Sequence, residues 1–298
     1  MSNRLYIIGN GFDLHHKIPS SYWHFGQYLK VIDSDTYGLI EQFIGIDDLF
    51  WNEFESRLSG LDSDHLLEDM SGFLASYGDD DWSDAGHHTY QYEVGRVVGI
   101  LSAKLLSHFS DWIRQLSIPS RSDSNIPFIH LDLTAQYLSF NYTNTLQKTY
   151  GVPDANVLHI HGVAIDSTSD LILGHAYELT NKDPYRYEAN PEDADIRVIE
   201  AISIIDDYFE KTFKNTEVMI EKHKAFFEGL TSVTEIHIYG HSLEDVDEPY
   251  FEKIMASIDS SKVKWVISYY GDLPRMKEKA NGLNIDLTKT SFVQLQDL

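Results

Sequence analysis

The sequence predicts an α/β protein with a Rossmann-like parallel sheet, helices on both faces and a helical insertion after the first strand. Three observations predict this fold. Leu5–Ile8 is an uninterrupted apolar run, which is typical of a strand buried on both faces of a parallel sheet. Short apolar runs alternate with helical patterns in the second half of the chain. A helical block of about residues 20–117 lies between these two regions.

A glycine turn follows the first strand directly. Gly9, Asn10 and Gly11 allow a sharp turn and a close approach of a ligand to the backbone. A turn of this composition can also serve only to support helix packing, so both interpretations stay open. Pro19-Ser20-Ser21 then marks a helix start. The apolar residues of that helix recur at helical spacing: Tyr22, Phe25, Leu29 and Ile32.

The helical block contains two more amphipathic patterns, and the polar, acidic segment Ser76–His88 between them indicates a loop. The first pattern consists of Phe50, Phe54, Leu58 and Leu61. The second predicts a long helix and consists of Val94, Val97, Leu101, Leu105, His108 and Trp112. Ile118–Pro127 has the composition of a linker. We therefore expect one domain, with a nucleotide-binding core of residues 1–19 and 131–298 and a helical insertion or lid of residues 20–130.

Five later segments have the composition of strands: Gln136–Asn141, Val157–Gly162, Leu171–His175, Glu235–Ser242 and Lys262–Tyr270. An acidic helical region follows the third of these segments, and a helix around Glu248–Ile258 joins the last two. Strands that alternate with helices favour a parallel sheet.

Glycines and polar residues stand repeatedly at the carboxyl ends of the predicted strands. Ligands of parallel α/β folds bind outside this edge of the sheet. Because several strand ends converge there, we expect these residues to form one pocket. They are Gly9, Asn10 and Gly11, then Asn141, His161 and Gly162, then Gly174 and His175, and finally Gly240, His241 and Ser242.

The composition excludes several classes of function. The chain has 298 residues, no cysteine and a net charge of −24, from 47 acidic and 23 basic side chains. A chain without cysteine has no disulfide, no cysteine-ligated zinc and no thiol catalysis. The negative charge disfavours nucleic acid as a partner, because Lys and Arg neutralise its phosphates. No segment has the pattern of a signal peptide or a membrane span, so we expect a cytoplasmic protein without a membrane partner.

Two other chemistries find weaker support. Gly240–Glu244 resembles the nucleophile elbow of serine hydrolases, but that fold requires a histidine after the serine and none follows His241. Residue types that bind metal ions occur in two places: Asp13, His15 and His16, and His159 and His161. In a chain with 14 histidines such pairs arise by chance, and we expect no metal.

Five motifs together resemble the AbiH-type family of phage abortive-infection proteins. They are IIGNGFDLHHKIPSSY, LSFNYTNTL, LHIHG, LILGH and YGHSLEDVDEPYF, which occur in this order from the first strand to about residue 251. The helical block contributes little to the resemblance. It implies a defence protein, for which a phage-derived trigger or a defence partner is expected.

The same motifs resemble, more distantly, the sirtuin-like NAD-binding fold. Gly9 and Gly11 correspond to its first glycines, with Asp13 in the position of a serine and Ile18-Pro19 at the expected distance. Asn141-Tyr142-Thr143 resembles its asparagine–aliphatic–aspartate motif. His161-Gly162 and Gly240–Leu243 resemble two later motifs. Thr143 replaces the aspartate, which puts the chemistry on the nicotinamide side in doubt, and the zinc cysteines of protein deacetylases are absent.

This second resemblance implies a role for each motif. His161 would act as general base toward a ribose hydroxyl, and Asn141 would position a water or the ribose hydroxyls. Asp13 would either stabilise developing positive charge or hold His161. The expected contacts to the dinucleotide are Gly9, Asn10, Gly11, Phe12, Thr143, Gly162, Gly174, His175, Gly240, His241 and Ser242. Structural alternatives are a buried histidine at position 161 and a helix cap at position 141.

The leading hypothesis is an NAD hydrolase of an abortive-infection system, with NAD as substrate or ligand. The first alternative is a sensor that binds NAD or ADP-ribose without turnover. The second alternative, a nucleic-acid-directed effector, conflicts with the charge of −24. Whether copies of the chain form a homo-oligomer is open.

Overall fold

The computed structural model describes residues 2–74, 88–123, 125–166, 168–183, 186 and 195–298, and these residues form one sheet of six parallel strands. The strands are β1 (Arg4–Ile8), β2 (Gln136–Ser139), β3 (Val157–His159), β4 (Glu235–Tyr239), β5 (Lys264–Ser268) and β6 (Thr290–Val293). Their order across the sheet is β3-β2-β1-β4-β5-β6. This is the order of doubly wound folds, with a topological switch point between β1 and β4. The predicted α/β class and parallel sheet are confirmed.

The strand predictions differ from the structure in three respects. Four predicted strands are present, but each ends before its predicted last residue; they are the ones predicted to start at Gln136, Val157, Glu235 and Lys262. The predicted strand Leu171–His175 is wrong. Its amino-terminal half bonds through the Ile172 amide to the His161 carbonyl, and His175 forms only an isolated bridge with Phe213. The sequence analysis also missed β6, an edge strand with partly exposed polar residues.

The described residues also form these helices: α1 (Asn10–His15), α2 (Tyr22–Ile32), α3 (Ser34–Phe43), α4 (Phe54–Arg57), α5 (Ser63–Met70), α6 (Thr89–Gly99), α7 (Leu105–Gln115), α8 (Thr145–Tyr150), α9 (Ile196–Lys211), α10 (Thr216–Lys222), α11 (Lys224–Glu228), α12 (Glu248–Ser257) and α13 (Leu273–Gly282). A π-helical turn, Ile100–Lys104, joins α6 and α7, so the helical structure is continuous over the long predicted helix. Most of the predicted loop Ser76–His88 lies outside the described residues.

Successive residues of the central strands face opposite sides of the sheet, and each side has its own core. Leu5 and Ile7 of β1 pack with side chains of α10 to α13. Tyr6 and Ile8 pack on the other side with α1, α8 and the segment before β2. On that side the Tyr6 ring stacks between Tyr137 at 4.9 Å and His237 at 4.7 Å. The sheet is therefore buried on both faces, as the apolar run at Leu5–Ile8 predicts.

The chain divides into two compact units, which differ from the predicted core and insertion. The first unit contains the sheet and consists of Met1–His24, Ser110–Ile172 and Asn215–Leu298. The second is helical and consists of Phe25–Phe109 and Leu173–Lys214. The chain thus leaves the sheet unit twice. In the second unit Tyr208 of α9 donates a hydrogen bond to the Leu58 carbonyl (2.7 Å). Pairing of distant segments of this kind leaves no signal in local composition.

The turn after β1 packs directly on the turn after β4, backbone against backbone. The Gly9 amide donates to the Tyr239 carbonyl (3.0 Å), and the Gly11 amide donates to the Gly240 carbonyl (2.8 Å). A Cβ atom on Gly240 would lie 2.0 Å from the Phe12 nitrogen, and its φ is +67°. Only glycine fits at this contact, because both the space and the backbone angle exclude a side chain.

We expect Gly240→Ala to destabilise the protein much more than Gly271→Ala. Gly271 has a similar φ of +73°, but a Cβ there would meet nothing within 4 Å. Its substitution therefore carries only the left-handed backbone penalty, about 1 kcal/mol. Gly240→Ala adds a clash with backbone and should cost about 4 kcal/mol or more. Urea unfolding of both variants measures the difference, and equal midpoints would contradict the importance of this contact.

Candidate functional site

A buried acid lies at the ends of β1 and β2. Asp13, on α1, is only 1% exposed and accepts a hydrogen bond from Thr143 Oγ1 at 2.5 Å. Thr143 Oγ1 lies 3.0 Å from Thr145 Oγ1, and Asn141 is buried beside them. The glycine turn positions Asp13, since α1 begins immediately after Gly9. The structure therefore brings together three predicted site residues, Asp13, Asn141 and Thr143, and adds Thr145.

The environment of Asp13 favours the neutral acid. Burial raises its pKa from 3.8 to about 6, although hydrogen bonds from Thr143, Thr145 and Asn141 oppose this rise. Near neutral pH the carboxyl group is thus a buried charge that is held by neutral donors alone. A carboxyl group in such surroundings is a candidate for chemistry, because most carboxylates are exposed or paired with a cation.

Two oxygen atoms of this cluster accept no hydrogen bond from the described residues. They are Asp13 Oδ1 and Asn141 Oδ1, and both are buried. An unsatisfied buried acceptor costs about 1–3 kcal/mol, and most such groups in folded proteins have a partner. Two acceptors in one cluster match a ligand that presents donors, such as hydroxyl groups.

The alternative that Asn141 caps a helix does not apply. Helix α8 begins at Thr145, and its N-cap residue is Asn144. Asn141 instead lies just beyond the end of β2, where its backbone amide donates a hydrogen bond to Ser139 Oγ at 3.2 Å. Its side chain is directed at the acid cluster, since it contributes to the hydrogen bonding of Asp13.

Two histidines share one carboxylate at the ends of β3 and β4. Asp247 Oδ2 lies 3.3 Å from His241 Nε2, and Asp247 Oδ1 lies 3.8 Å from His161 Nε2. All three residues are at most 8% exposed. The Leu243 amide donates to His241 Nδ1 at 3.0 Å, so the ring proton of neutral His241 is on Nε2 and faces Asp247. Both histidines were predicted from the sequence as site residues, whereas Asp247 was not.

Phe140 joins the acid cluster to the histidine pair. Its ring centroid lies 4.4 Å from that of His241 and 5.3 Å from that of His161. Phe140 directly precedes Asn141 in the chain, so a single segment after β2 contacts both groups. Tyr250 of α12 closes the histidine side, with its ring centroid 5.7 Å from His161.

The glycine turn has a clear packing role. The amides of Gly9 and Gly11 donate to the turn after β4, and the Phe12 amide donates to the Gly9 carbonyl at 2.9 Å. The Phe12 side chain is fully buried in the core, and Asn10 Oδ1 accepts from Ser20 Oγ at 2.5 Å. A contact between these amides and the dinucleotide stays a prediction, and the amides of Gly9, Gly11 and Phe12 would have to exchange their present acceptors.

The remaining predicted residues have different settings. Gly162 has a φ of +85°, and a Cβ there would lie 2.2 Å from the Asp170 carbonyl oxygen. Ser242 is exposed, and its carbonyl accepts from Lys279 Nζ at 3.3 Å. Gly174 and His175 belong to the second unit, apart from the unit that contains the sheet edge. There His175 Nε2 lies 3.0 Å from Thr212 Oγ1, and burial lowers the histidine pKa to about 4.

The described residues contain no cluster of three or more His, Asp or Glu side chains that could hold a metal ion. His159 and His161 have separate partners, since His159 Nδ1 lies 3.1 Å from the Asn141 carbonyl oxygen. In the same part of the chain, no helix has both the length and the apolar character that crossing a membrane requires.

The doubly wound sheet and the buried polar cluster next to its switch point define the class: a doubly wound α/β protein with polar side chains at the carboxyl edge of its strands, the edge at which folds of this class bind ligands. The comparisons with known proteins name the family. The model of the family described as Bacteriophage abortive infection AbiH matches residues 5–269, so the chain belongs to this family. No curated protein and no solved structure matches it. The predicted AbiH-type resemblance is thus confirmed.

The sequence around Asp247 contains one indication of its importance. Asp247 stands in the acidic segment Glu244–Glu248 immediately before Pro249, at the start of a helix, where aspartate is a common cap. That position suggests a structural role. Only the folded loop between β4 and α12 places its carboxylate between the two histidines.

We expect Asp13→Asn to stabilise the protein at neutral pH and to lose this advantage in acid. A folded-state pKa of about 6 against 3.8 means that ionising Asp13 lowers the free energy of unfolding as the pH rises through this window. The penalty is complete above about pH 6 and amounts to about 3 kcal/mol. Asparagine carries no charge and can still accept from Thr143. Urea unfolding of both proteins at several pH values between about 4 and 7 measures the effect.

The control is Asp245→Asn, a change of the same type at an exposed position. Its stability relative to wild type should not follow this pH dependence. A difference between Asp13→Asn and wild type that stays constant from acid to neutral pH would show that Asp13 titrates normally.

Proposed function

We propose that this abortive-infection protein hydrolyses the nicotinamide–ribose bond of NAD. The observation that carries the proposal is the pair of buried, unsatisfied oxygens on Asp13 and Asn141 at the carboxyl edge of the sheet. A ribose presents two adjacent hydroxyl donors, which match two neighbouring acceptors. Hydroxyl recognition of this kind gives strong selectivity, because the buried acceptors are left unpaired without the correct ligand.

The chemistry of the bond suits these residues. Cleavage passes through an oxocarbenium-like transition state, in which positive charge develops on the ribose ring. A buried carboxylate stabilises such charge strongly because little water screens it. Ionised Asp13 would therefore stabilise the transition state, and Asn141 would orient the hydroxyl groups or the attacking water.

The exchange of residues relative to the sirtuin-like motifs supports this assignment. In the resembling motifs, serine stands at the position of Asp13 and aspartate at the position of Thr143. Here the two types are exchanged, and Thr143 Oγ1 donates to Asp13 at 2.5 Å. Under this proposal Asp13 of α1 takes the role that the resemblance gives to the aspartate of the motif. The departure at Thr143 then no longer argues against catalysis.

His161 would act as the general base toward a ribose hydroxyl. It lies at the end of β3 with its Nε2 atom 3.8 Å from Asp247, which can stabilise the imidazolium formed when the ring takes up a proton. General-base catalysis by a positioned histidine contributes about 100-fold to 10,000-fold to the rate.

A second candidate function rests on the burial of the site. Asp13, Asn141, Thr143, His161, His241 and Asp247 are each at most 8% exposed. A dinucleotide can reach these side chains only after a local opening. This favours a protein that rests closed until infection, and it also fits a sensor that binds NAD or ADP-ribose without turnover.

We expect wild-type protein to release nicotinamide and ADP-ribose from NAD, slowly when purified, because the resting site is closed, and faster in infected cells. Asn141→Ala and His161→Ala should each lower the rate by about 100-fold or more, with the fold intact. The matched controls are Asn281→Ala and His130→Ala, which change the same residue types at exposed positions. Chromatography follows the products, and circular dichroism and urea unfolding establish that each variant folds. The same proteins are then produced in bacteria, and NAD is measured before and after phage infection.

The outcomes separate the two candidates. Loss of NAD only in infected cells, and only with functional Asn141 and His161, supports a hydrolase that is closed at rest. A melting temperature that NAD or ADP-ribose raises, without product in any assay, supports the sensor. If neither nucleotide changes stability and NAD persists in infected cells, the proposal is wrong.

A further inference from the structure

Asp247 occupies a helix-capping position without capping the helix. It is the N-cap residue of α12, yet its side chain makes no capping hydrogen bond. Aspartate is among the best N-cap residues because its carboxylate accepts from the first helical amides. Here the carboxylate lies between two imidazole rings, at 3.3 Å from His241 Nε2 and 3.8 Å from His161 Nε2. Helix stability alone therefore does not account for an aspartate at this position.

A hydrogen bond from the loop after β4 determines which nitrogen of His241 carries the proton. Leu243, which has a positive φ of 55°, donates its amide hydrogen to His241 Nδ1 at 3.0 Å. The acceptor role of Nδ1 places the proton of the neutral ring on Nε2. Nε2 lies 3.3 Å from Asp247 Oδ2. The loop after β4 thus fixes His241, and His241 fixes one oxygen of the carboxylate.

The other carboxylate oxygen is then held toward His161. The two oxygens belong to one rigid, planar carboxylate, so the contact of Oδ2 with His241 restricts the position of Oδ1, which lies 3.8 Å from His161 Nε2. The separation of 3.8 Å is longer than a hydrogen bond, but it is short enough for a strong charge interaction in a buried setting. The arrangement is a series of contacts: the Leu243 amide, His241, Asp247 and His161.

We propose that Asp247 is a positioning residue for His161 and that His241 acts through Asp247 rather than by contacting the ligand. The catalytic part of this inference rests on the proposed NAD hydrolysis, in which His161 takes up a proton. The contact series itself is a property of the resting protein. It differs from the sequence-based expectation that His241 contacts the dinucleotide.

A double-mutant cycle tests the inference with Asp247→Asn, His241→Gln and the combined variant. Asp247→Asn keeps the size of the side chain and removes its charge. We expect it to lower kcat about 100-fold with less than about threefold change in KM. If His241 acts through Asp247, His241→Gln should lower kcat in the wild type and add little in the Asp247→Asn background. Asp245→Asn, an exposed change in the same loop, should leave kcat and KM unchanged.

The same cycle is read by NMR without substrate. In protein labelled with nitrogen-15 in histidine, the ring signals of His161 should shift on His241→Gln, and this shift should vanish once Asp247 is Asn. Signals are assigned with single histidine variants, and urea unfolding establishes that each variant folds. Two results would overturn the inference. One is that Asp247→Asn leaves the ring signals of His161 unchanged, and the other is that the effects of His241→Gln and Asp247→Asn on kcat are fully additive. A wild type that shows the NMR coupling but never cleaves NAD would refute only the proposed function.

Discussion

The backbone conformation of the turn after β1 depends on the turn after β4, which packs directly on it, backbone against backbone. The amides of Gly9 and Gly11 bond the Tyr239 and Gly240 carbonyls, and no Cβ fits between the two turns. This contact lies at the switch point of the doubly wound sheet, where related folds hold a ligand. It fixes the start of α1, and hence Asp13, on one side. It fixes the loop that carries His241 on the other. Both halves of the candidate site therefore depend on one contact between glycines.

Asp13 is the element that a purely structural account explains least. Its burial raises its pKa to about 6, and the described residues leave one of its oxygens without a donor. An asparagine at this position would avoid the charge and keep the hydrogen bond from Thr143. Stability alone thus favours another residue, which is the pattern expected where a site sacrifices stability for chemistry. The Phe140–Thr143 segment shares this feature, because the buried Asn141 Oδ1 also accepts no hydrogen bond from the described residues.

The sequence predicted those features that depend on local pattern. The apolar run at Leu5–Ile8 predicted a central strand, and the residues after the strands predicted where polar side chains converge. It did not predict features that depend on distant pairing. The run at Leu171–His175 resembles a strand, but its last residues pair with the segment after α9. β6 was missed because an edge strand can remain polar. Asp247 was missed because His161 comes from the end of another strand, β3, and because only the folded loop after β4 brings His241 next to it.

The two halves of the site meet at one short segment, and this has a mechanical consequence. Phe140 contacts both histidine rings, while Asn141 and Thr143 contact Asp13. A ligand that reached Asn141 would have to displace this segment, because the side chains around it are buried. The displacement would move Phe140 and so alter the packing of both histidines. Under the proposed function, ligand entry and histidine orientation would therefore be linked through four consecutive residues, and the closed site would be inactive for this reason.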